Sequence, residues 1–250
     1  MEVLDFYRSY KRRKKNLINR IYDRVKPPNM RGYYGQFAED AALQTYFIDK
    51  MWAATGNWEV KNNGFYVDIG AYSPVLISNT YWFYQHGWRG INVEPFPDII
   101  NKFNTERPQD INVSLAIGSR AGLNKYYSWG NSSMNTFSAD KVASYIRDGK
   151  VSGEPTILEI EMIKLETLLD RHLPDGVLID FITVDVEGMD LDVLSSNDWR
   201  KYRPRLVSVE LDCMNINDVI HSDLYSFMLS KGYELYYWLN PAVIFVDKHS

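Results

Sequence analysis

Four apolar runs in this chain stop at an acidic residue: Phe65-Tyr66-Val67 at Asp68, Ile91-Asn92-Val93 at Glu94, Ile182-Thr183-Val184 at Asp185 and Leu206-Val207-Ser208-Val209 at Glu210. Segments with apolar residues at helical spacing lie between them. Buried strands alternating with helices build a mostly parallel sheet covered on both faces. Open sheets of that kind bind ligands beyond the carboxyl ends of their strands. One acid at such an end is unremarkable, since it serves as a helix cap or a solvated loop residue. Four at one edge repel each other and call for a cation or several hydroxyl donors.

The periodicity predicts helices over 38–52, 78–86, 98–105, 164–172, 191–194 and 222–231. It predicts strands over 65–69, 90–93, 111–117, 124–129, 177–184 and 206–209. Residues 134–148 read as helix or loop, and 149–155 as an exposed excursion. The chain closes with 233–239, a turn at Asn240-Pro241, and 242–246, which is a hairpin of antiparallel strands. The expected fold is α/β: a doubly wound, mostly parallel seven-stranded sheet with a C-terminal antiparallel hairpin.

At 250 residues the chain suits one α/β domain with an ample core. Cys213 is the only cysteine, which excludes an internal disulfide framework and fits a reducing compartment. No apolar stretch follows the basic N-terminus as in a secretory signal, and no run has the length of a membrane span. A cytoplasmic protein is expected. Residues 1–26 carry nine Lys/Arg against three acids, while the whole chain has a net charge of −4. The acidic remainder argues against nucleic-acid binding. The basic segment, 1–28, has Leu17, Ile18, Ile21, Tyr22 and Val25 at helical spacing and ends at Pro27-Pro28. It fits peripheral contact with the anionic inner face of a membrane, or packing on its own domain or on a second copy of the chain. The main domain then runs over 29–250.

The first strand looks ready to bind a nucleotide, yet the chain continues Gly70-Ala71-Tyr72-Ser73-Pro74. A dinucleotide loop needs a second glycine where Tyr72 stands, and Pro74 has no N–H to donate. A pyrophosphate lacks both room and donors there. S-adenosylmethionine carries no phosphate, but it has a sulfonium cation, a ribose diol and an adenine. Asp68 and Gly70 shape a loop for its methionine part, and Glu94 accepts from both ribose hydroxyls. The competing readings are a Rossmann-type NAD(P) oxidoreductase or epimerase, and a non-catalytic binding module.

Five ordered motifs go further: Gly35-Gln36-Phe37-Ala38-Glu39-Asp40, Tyr66-Val67-Asp68-Ile69-Gly70-Ala71, Ser78-Asn79-Thr80-Tyr81, Gly90-Ile91-Asn92-Val93-Glu94-Pro95 and Thr183-Val184-Asp185-Val186-Glu187-Gly188. With Ser196-Asn197-Asp198-Trp199 and Tyr202-Arg203-Pro204, they make the chain resemble FkbM-family methyltransferases over about residues 33–246. Pro74 departs from the pattern, where many relatives carry glycine. The resemblance implies the class I S-adenosylmethionine-dependent fold. It implies cofactor contacts at Gln36, Asp68, Gly70, Ala71, Ser78, Asn79, Glu94 and Asp185. It also implies a glycan or secondary-metabolite acceptor.

Methyl transfer demands alignment of acceptor, methyl group and sulfur. Asp185, Glu187 and Glu210 are the candidate catalytic carboxylates, suited to taking a proton from a sugar hydroxyl. Alternatively Asp185, Glu210 and Asp212 hold Mg2+, which suits oxygen ligands and acidifies the hydroxyl. His86, His172, His221 and His249 show no ligand spacing, and His221 is the one histidine candidate for a base. The stretch 126–138 mixes aromatics with Ser and Asn, as a carbohydrate-binding loop or an ordinary surface loop does.

Overall fold

A computed structural model describes residues 32–56, 63–130 and 134–249. The basic segment 1–28 falls outside them, and with it the expected membrane or oligomer contact. Tyr33–Ser250 forms one compact unit. The described elements run, in order, α1 (Glu39–Thr55), β1 (Phe65–Ile69), α2 (Tyr81–Gln85), β2 (Arg89–Val93), α3 (Pro97–Glu106), β3 (Ile111–Val113), β4 (Ala116–Ile117) and β5 (Gly122–Ser128). There follow α4 (Ala139–Arg147), β6 (Thr156–Ile163), α5 (Leu165–His172), β7 (Phe181–Val184), α6 (Asp190–Ser195), β8 (Leu206–Glu210), α7 (Ile216–Ile220), α8 (Asp223–Ser230), β9 (Tyr233–Leu239) and β10 (Ala242–Asp247). No described helix is long and apolar enough to cross a membrane.

The large sheet has seven strands in the order β3-β2-β1-β7-β8-β10-β9. β10 runs antiparallel to both β8 and β9, and the other pairs are parallel. This is the expected mostly parallel sheet with its closing hairpin. β1 and β7 are buried at every position because helices cover both of their faces. Side chains alternate across the sheet. Val67, Ile182, Val207 and Val243 join one cluster with Leu165, Leu168, Val193 and Met228 from α5, α6 and α8. Tyr66, Phe181, Leu206 and Ile244 join the other, with Leu43 and Phe47 of α1 and Phe83 of α2. Burying side chains of this size stabilises by about 1.5–3 kcal/mol each. The second cluster is aromatic: Phe47 meets Trp88 at 4.9 Å, and Phe83 meets Phe181 at 4.8 Å.

The chain builds outward from β1 through β2 to β3, then crosses back to β7 beside β1. The topological switch point therefore lies between the carboxyl ends of β1 and β7, where Asp68 and Asp185 sit. Two expectations need correction. The run over 111–117 is not one strand: β3 pairs with β2 in the large sheet, while β4 pairs with β6 in a second, three-stranded sheet of order β4-β6-β5. The strand over 177–184 is confined to Phe181–Val184, since Asp180 turns its carboxylate back to accept from the Phe65 N–H at 2.9 Å. β6 and α7 were not anticipated. The small sheet and α4 together form an insertion between β3 and α5.

Candidate active site

The loop after β1 folds back over β2. The N–H groups of Gly70 and Ala71 both donate to the Val93 carbonyl, at 3.0 and 3.1 Å. Gly70 has φ +82°, and a Cβ there would lie 1.9 Å from the backbone oxygen of Asp185. Only glycine lets the β1 loop and the β7 turn approach this closely. Asp185 N in turn donates to the Ile69 carbonyl at 3.0 Å. The two turns frame a cleft of about 320 Å³.

One side of the cleft is lined by Gln36, Asp68, Gly70, Ala71, Ser78, Asn79 and Glu94. Glu94 accepts from the N–H of Tyr72 and the N–H of Phe96, each at 3.3 Å. Burial pushes its carboxyl up to about 7; those two N–H groups oppose the shift, and Asp68 adds to it. Burial likewise raises Asp68 to about 6, opposed by the Thr80 hydroxyl and by Arg107. Ser78 accepts from Thr80 N at 3.4 Å and Tyr81 N at 3.1 Å, so its hydroxyl braces the turn that leads into α2 as well as lining the cleft. The Asn79 amide donates to the Thr183 hydroxyl at 3.2 Å, tying that loop to β7.

The opposite side is acidic. Asp185, Glu187 and Glu210 bring carboxylate oxygens within 4.8 Å of one another. Asp185 shows surface to the cleft but is enclosed by protein on its other sides. Its carboxyl is held well above the usual range by that burial and by Glu210, Asp190 and Glu187. Asp185 and Glu210 are joined by a hydrogen bond and titrate as a pair. Glu210 rises to about 7 through burial and through Glu187 and Asp190. Glu187 has φ +54° and Gly188 φ +93°. Asp190, at the start of α6, holds this turn by accepting from Val186 N at 3.1 Å and Gly188 N at 3.2 Å.

The insertion closes the cleft from above. Thr136 donates to the Glu187 carbonyl at 3.0 Å, and the Tyr145 hydroxyl donates to the Glu187 carboxylate. Lys141 pairs with Asp212 at 3.2 Å. Tyr126, Met134, Asn135, Thr136 and Phe137 line the same space, so part of the aromatic and amide stretch over 126–138 does face the cleft.

The carboxylates and cofactor-contact residues singled out from sequence all line this cleft, Asp212 included. Among the described residues, Asp185, Glu187 and Glu210 are the carboxylates close enough to share a cation, while Asp212, expected beside Asp185 and Glu210, is largely exposed and paired with Lys141. His221 does not line the cleft; its Nδ1 lies 2.7 Å from the Asn217 carbonyl on an exposed helix end. Sequence reasoning missed Lys141, Tyr145 and Asp190. The signal for the first two was Ser138, which caps α4 by accepting from Lys141 N and sets Lys141 and Tyr145 one turn apart.

No curated protein matches the chain. Among solved structures it is similar to a TehB-like SAM-dependent methyltransferase from Corynebacterium glutamicum, at 11% identity and TM-score 0.40, covering 96% of this chain and 97% of that one. It is also similar to Aeropyrum pernix fibrillarin in complex with S-adenosyl-L-methionine, at 13% identity and TM-score 0.39, covering 88% and 85%. Likenesses this loose carry no residue roles. Residues 68–235, more than half of the chain, match the methyltransferase FkbM domain, and the chain belongs to that family.

Proposed function

We propose that the protein is an S-adenosylmethionine-dependent O-methyltransferase acting on a hydroxyl of a sugar, in a surface polysaccharide or related glycan. The observation that carries this reading is the Asp185–Glu210 pair beside the Gly70 loop, with Asp68 and Glu94 across the cleft. The donor set fits the cofactor. Asp68 and Glu94 offer carboxylates to a cation and a diol, while Gln36 and Asn79 offer amides to an amino-acid end. The buried loop proline, Pro74, offers no N–H to a pyrophosphate. When bound, the cofactor supplies the electrophilic methyl group that the acceptor oxygen receives.

The residues of this chain do the rest. Asp185 and Glu210 share a proton, which leaves one carboxylate to accept from the acceptor hydroxyl as its oxygen becomes nucleophilic. Glu210, whose carboxyl burial and like charges push up to about 7, is matched to that task at neutral pH. Tyr145 fixes Glu187, and Thr136 fixes the backbone beneath it, so the turn stays aligned. Tyr126 and Phe137 offer ring faces for sugar C–H surfaces, and Asn135 an amide for hydroxyls. The acidic body disfavours nucleic acid, and a cytoplasmic site of action follows from the reducing compartment that the single cysteine suits. A second reading has a divalent cation such as Mg2+ held by Asp185, Glu187 and Glu210, whose oxygens lie close enough to share one.

The test is incubation of the full chain with labelled S-adenosylmethionine and a panel of glycan, secondary-metabolite and RNA acceptors, with and without a chelator. Label in a sugar, lost in Asp185→Asn and kept with chelator, is the expected result. Label in RNA overturns the acceptor assignment, and full activity of Asp185→Asn overturns the proton-transfer role. Loss with chelator selects the cation reading.

A further inference from the structure

Beneath the cofactor side of the cleft, on the Tyr66 face of the large sheet, lies a buried charged network. Arg107, just after α3, is fully buried. Its Nε donates to Asp110 at 2.9 Å, and both side chains are sealed from solvent. One terminal nitrogen donates to the Tyr66 hydroxyl at 2.6 Å; the other donates to the Thr80 hydroxyl at 2.9 Å. The Tyr66 hydroxyl in turn donates to Asp110 at 2.6 Å. Its ring crosses Gly90, where a Cβ would lie 2.1 Å away, so glycine clears its path.

An anchor for the fold needs only Asp110 and Tyr66. The third arm leads elsewhere. Thr80 accepts from Arg107 and gives its single hydroxyl proton to Asp68 Oδ2 at 2.7 Å. The other oxygen of Asp68 has no hydrogen-bond partner among the described residues, and Asp68 lines the cleft. We propose that Arg107 is a positioning residue for the cofactor: acting through Thr80, it keeps Asp68 ionised and aimed at a cationic group of the methionine end. The inference rests on the S-adenosylmethionine reading.

The surroundings of Asp68 explain why such support is needed. Burial disfavours its charge, and Asp110 adds repulsion, while the Thr80 bond and Arg107 oppose both. Glu94 faces it from the end of β2 and is a second like charge. β2 otherwise presents Asn92 in register, and β7 presents Thr183, neither of them charged. Arg107 and Thr80 are thus the groups that offset the burial of Asp68.

Thr80→Val removes the hydroxyl while leaving Arg107 bonded to Asp110, Tyr66 and Ser78, and its Tm is measured alongside its affinity. S-adenosylhomocysteine, which keeps the ammonium group, is titrated calorimetrically into the full-length wild type and Thr80→Val across pH. Glu94 titrates in both proteins, so the ratio of their Kd values reports chiefly on Asp68. Loss of one hydrogen bond to the carboxylate moves the Asp68 pKa up by about one unit, so the ratio climbs toward roughly tenfold below about pH 6 and returns to about one near pH 8.5. Thr80→Ser keeps the hydroxyl and restores the wild-type curve. Arg107→Lys keeps the charge but not the fork, and gives a smaller shift in the same direction. A ratio that stays flat with pH, or a Kd change that merely tracks a lowered Tm, overturns the relay. No binding by the wild type overturns the cofactor reading, and the relay with it.

Discussion

Replacing Gly70 by alanine tests the geometry on which the whole site depends. The position has φ +82°, and the added methyl carbon would lie 1.9 Å from the Asp185 carbonyl oxygen, a backbone atom that no rotamer change can move. The left-handed backbone alone costs an L-residue about 1–2 kcal/mol. Overpacking against a fixed atom adds about 1–3 kcal/mol. Relief requires β1 and β7 to part at their carboxyl ends, which stretches the bond from Asp185 N to the Ile69 carbonyl. The sum, about 2–5 kcal/mol, lowers Tm by roughly 5–20 °C in a domain of this size. Gly176 supplies the control, since it has φ +74° and open space around its missing Cβ. Gly176→Ala therefore carries the conformational cost without the clash. The assay is thermal unfolding of both variants, followed by titration with S-adenosylhomocysteine at a temperature where both are folded. Gly70→Ala is expected to lose more Tm than Gly176→Ala and, alone of the two, to lose cofactor affinity. Equal losses of Tm would refute the clash, and retained affinity would refute the claim that the two turns must touch.

Two further outcomes follow from the titrating groups. Glu94 and Glu210 are raised to about 7, and Asp68, Asp190 and Asp40 to about 6, mainly by burial. Raised carboxyl pKa values mean that the folded state binds more protons than the unfolded one between about pH 4 and 7, so the cofactor-free protein gains stability as pH falls through that window. Its Tm should be higher at about pH 6 than at about pH 8, and a flat or opposite trend would count against the buried acids. Tyr145→Phe removes the phenol that holds Glu187 and lowers its carboxyl pKa against the effect of burial. Methyl transfer should drop roughly tenfold or more, with its acid limb moved to higher pH, as expected from losing a hydrogen bond to a charged group; an unchanged pH–rate profile would show that Tyr145 is only packing.

The large sheet was legible because its signals are local. Each central strand is an apolar run with a turn signal, and the acid after it marks the edge where ligands gather. The closing hairpin announced itself through Asn240-Pro241. Sheet membership was less visible: nothing within 111–117 says that Val113 pairs with β2 and Ile117 with β6, since that depends on partners far along the chain. β6 itself was readable in principle, as Leu158, Ile160 and Met162 alternate with Glu159 and Glu161. Asp190 and Arg107 carried no local mark. One works by accepting from backbone N–H groups of the preceding turn, and the other by reaching across two strands, and both are properties of the folded chain alone.

The division between two sheets splits the walls of one cleft between two parts of the chain. Asp68, Glu94 and the Gly70 loop belong to the large sheet, while Tyr126, Thr136, Lys141 and Tyr145 belong to the insertion that carries the small one. The two halves meet at Glu187 and Gly188, where Thr136 and Tyr145 bond the first and the stem of Lys141 passes a missing Cβ of the second; they meet again where Ser119 bonds Asp192 and where Ile117 and Ile163 pack into the core of the large sheet. A substitution at Tyr126, Thr136, Lys141 or Tyr145 therefore alters one wall of the cleft, whereas one at Ile117 or Ile163 reaches the core shared with the large sheet. At Gly188 a Cβ would lie 3.0 Å from the Lys141 side chain, so the missing side chain is what lets that lysine lie over the turn and reach Asp212.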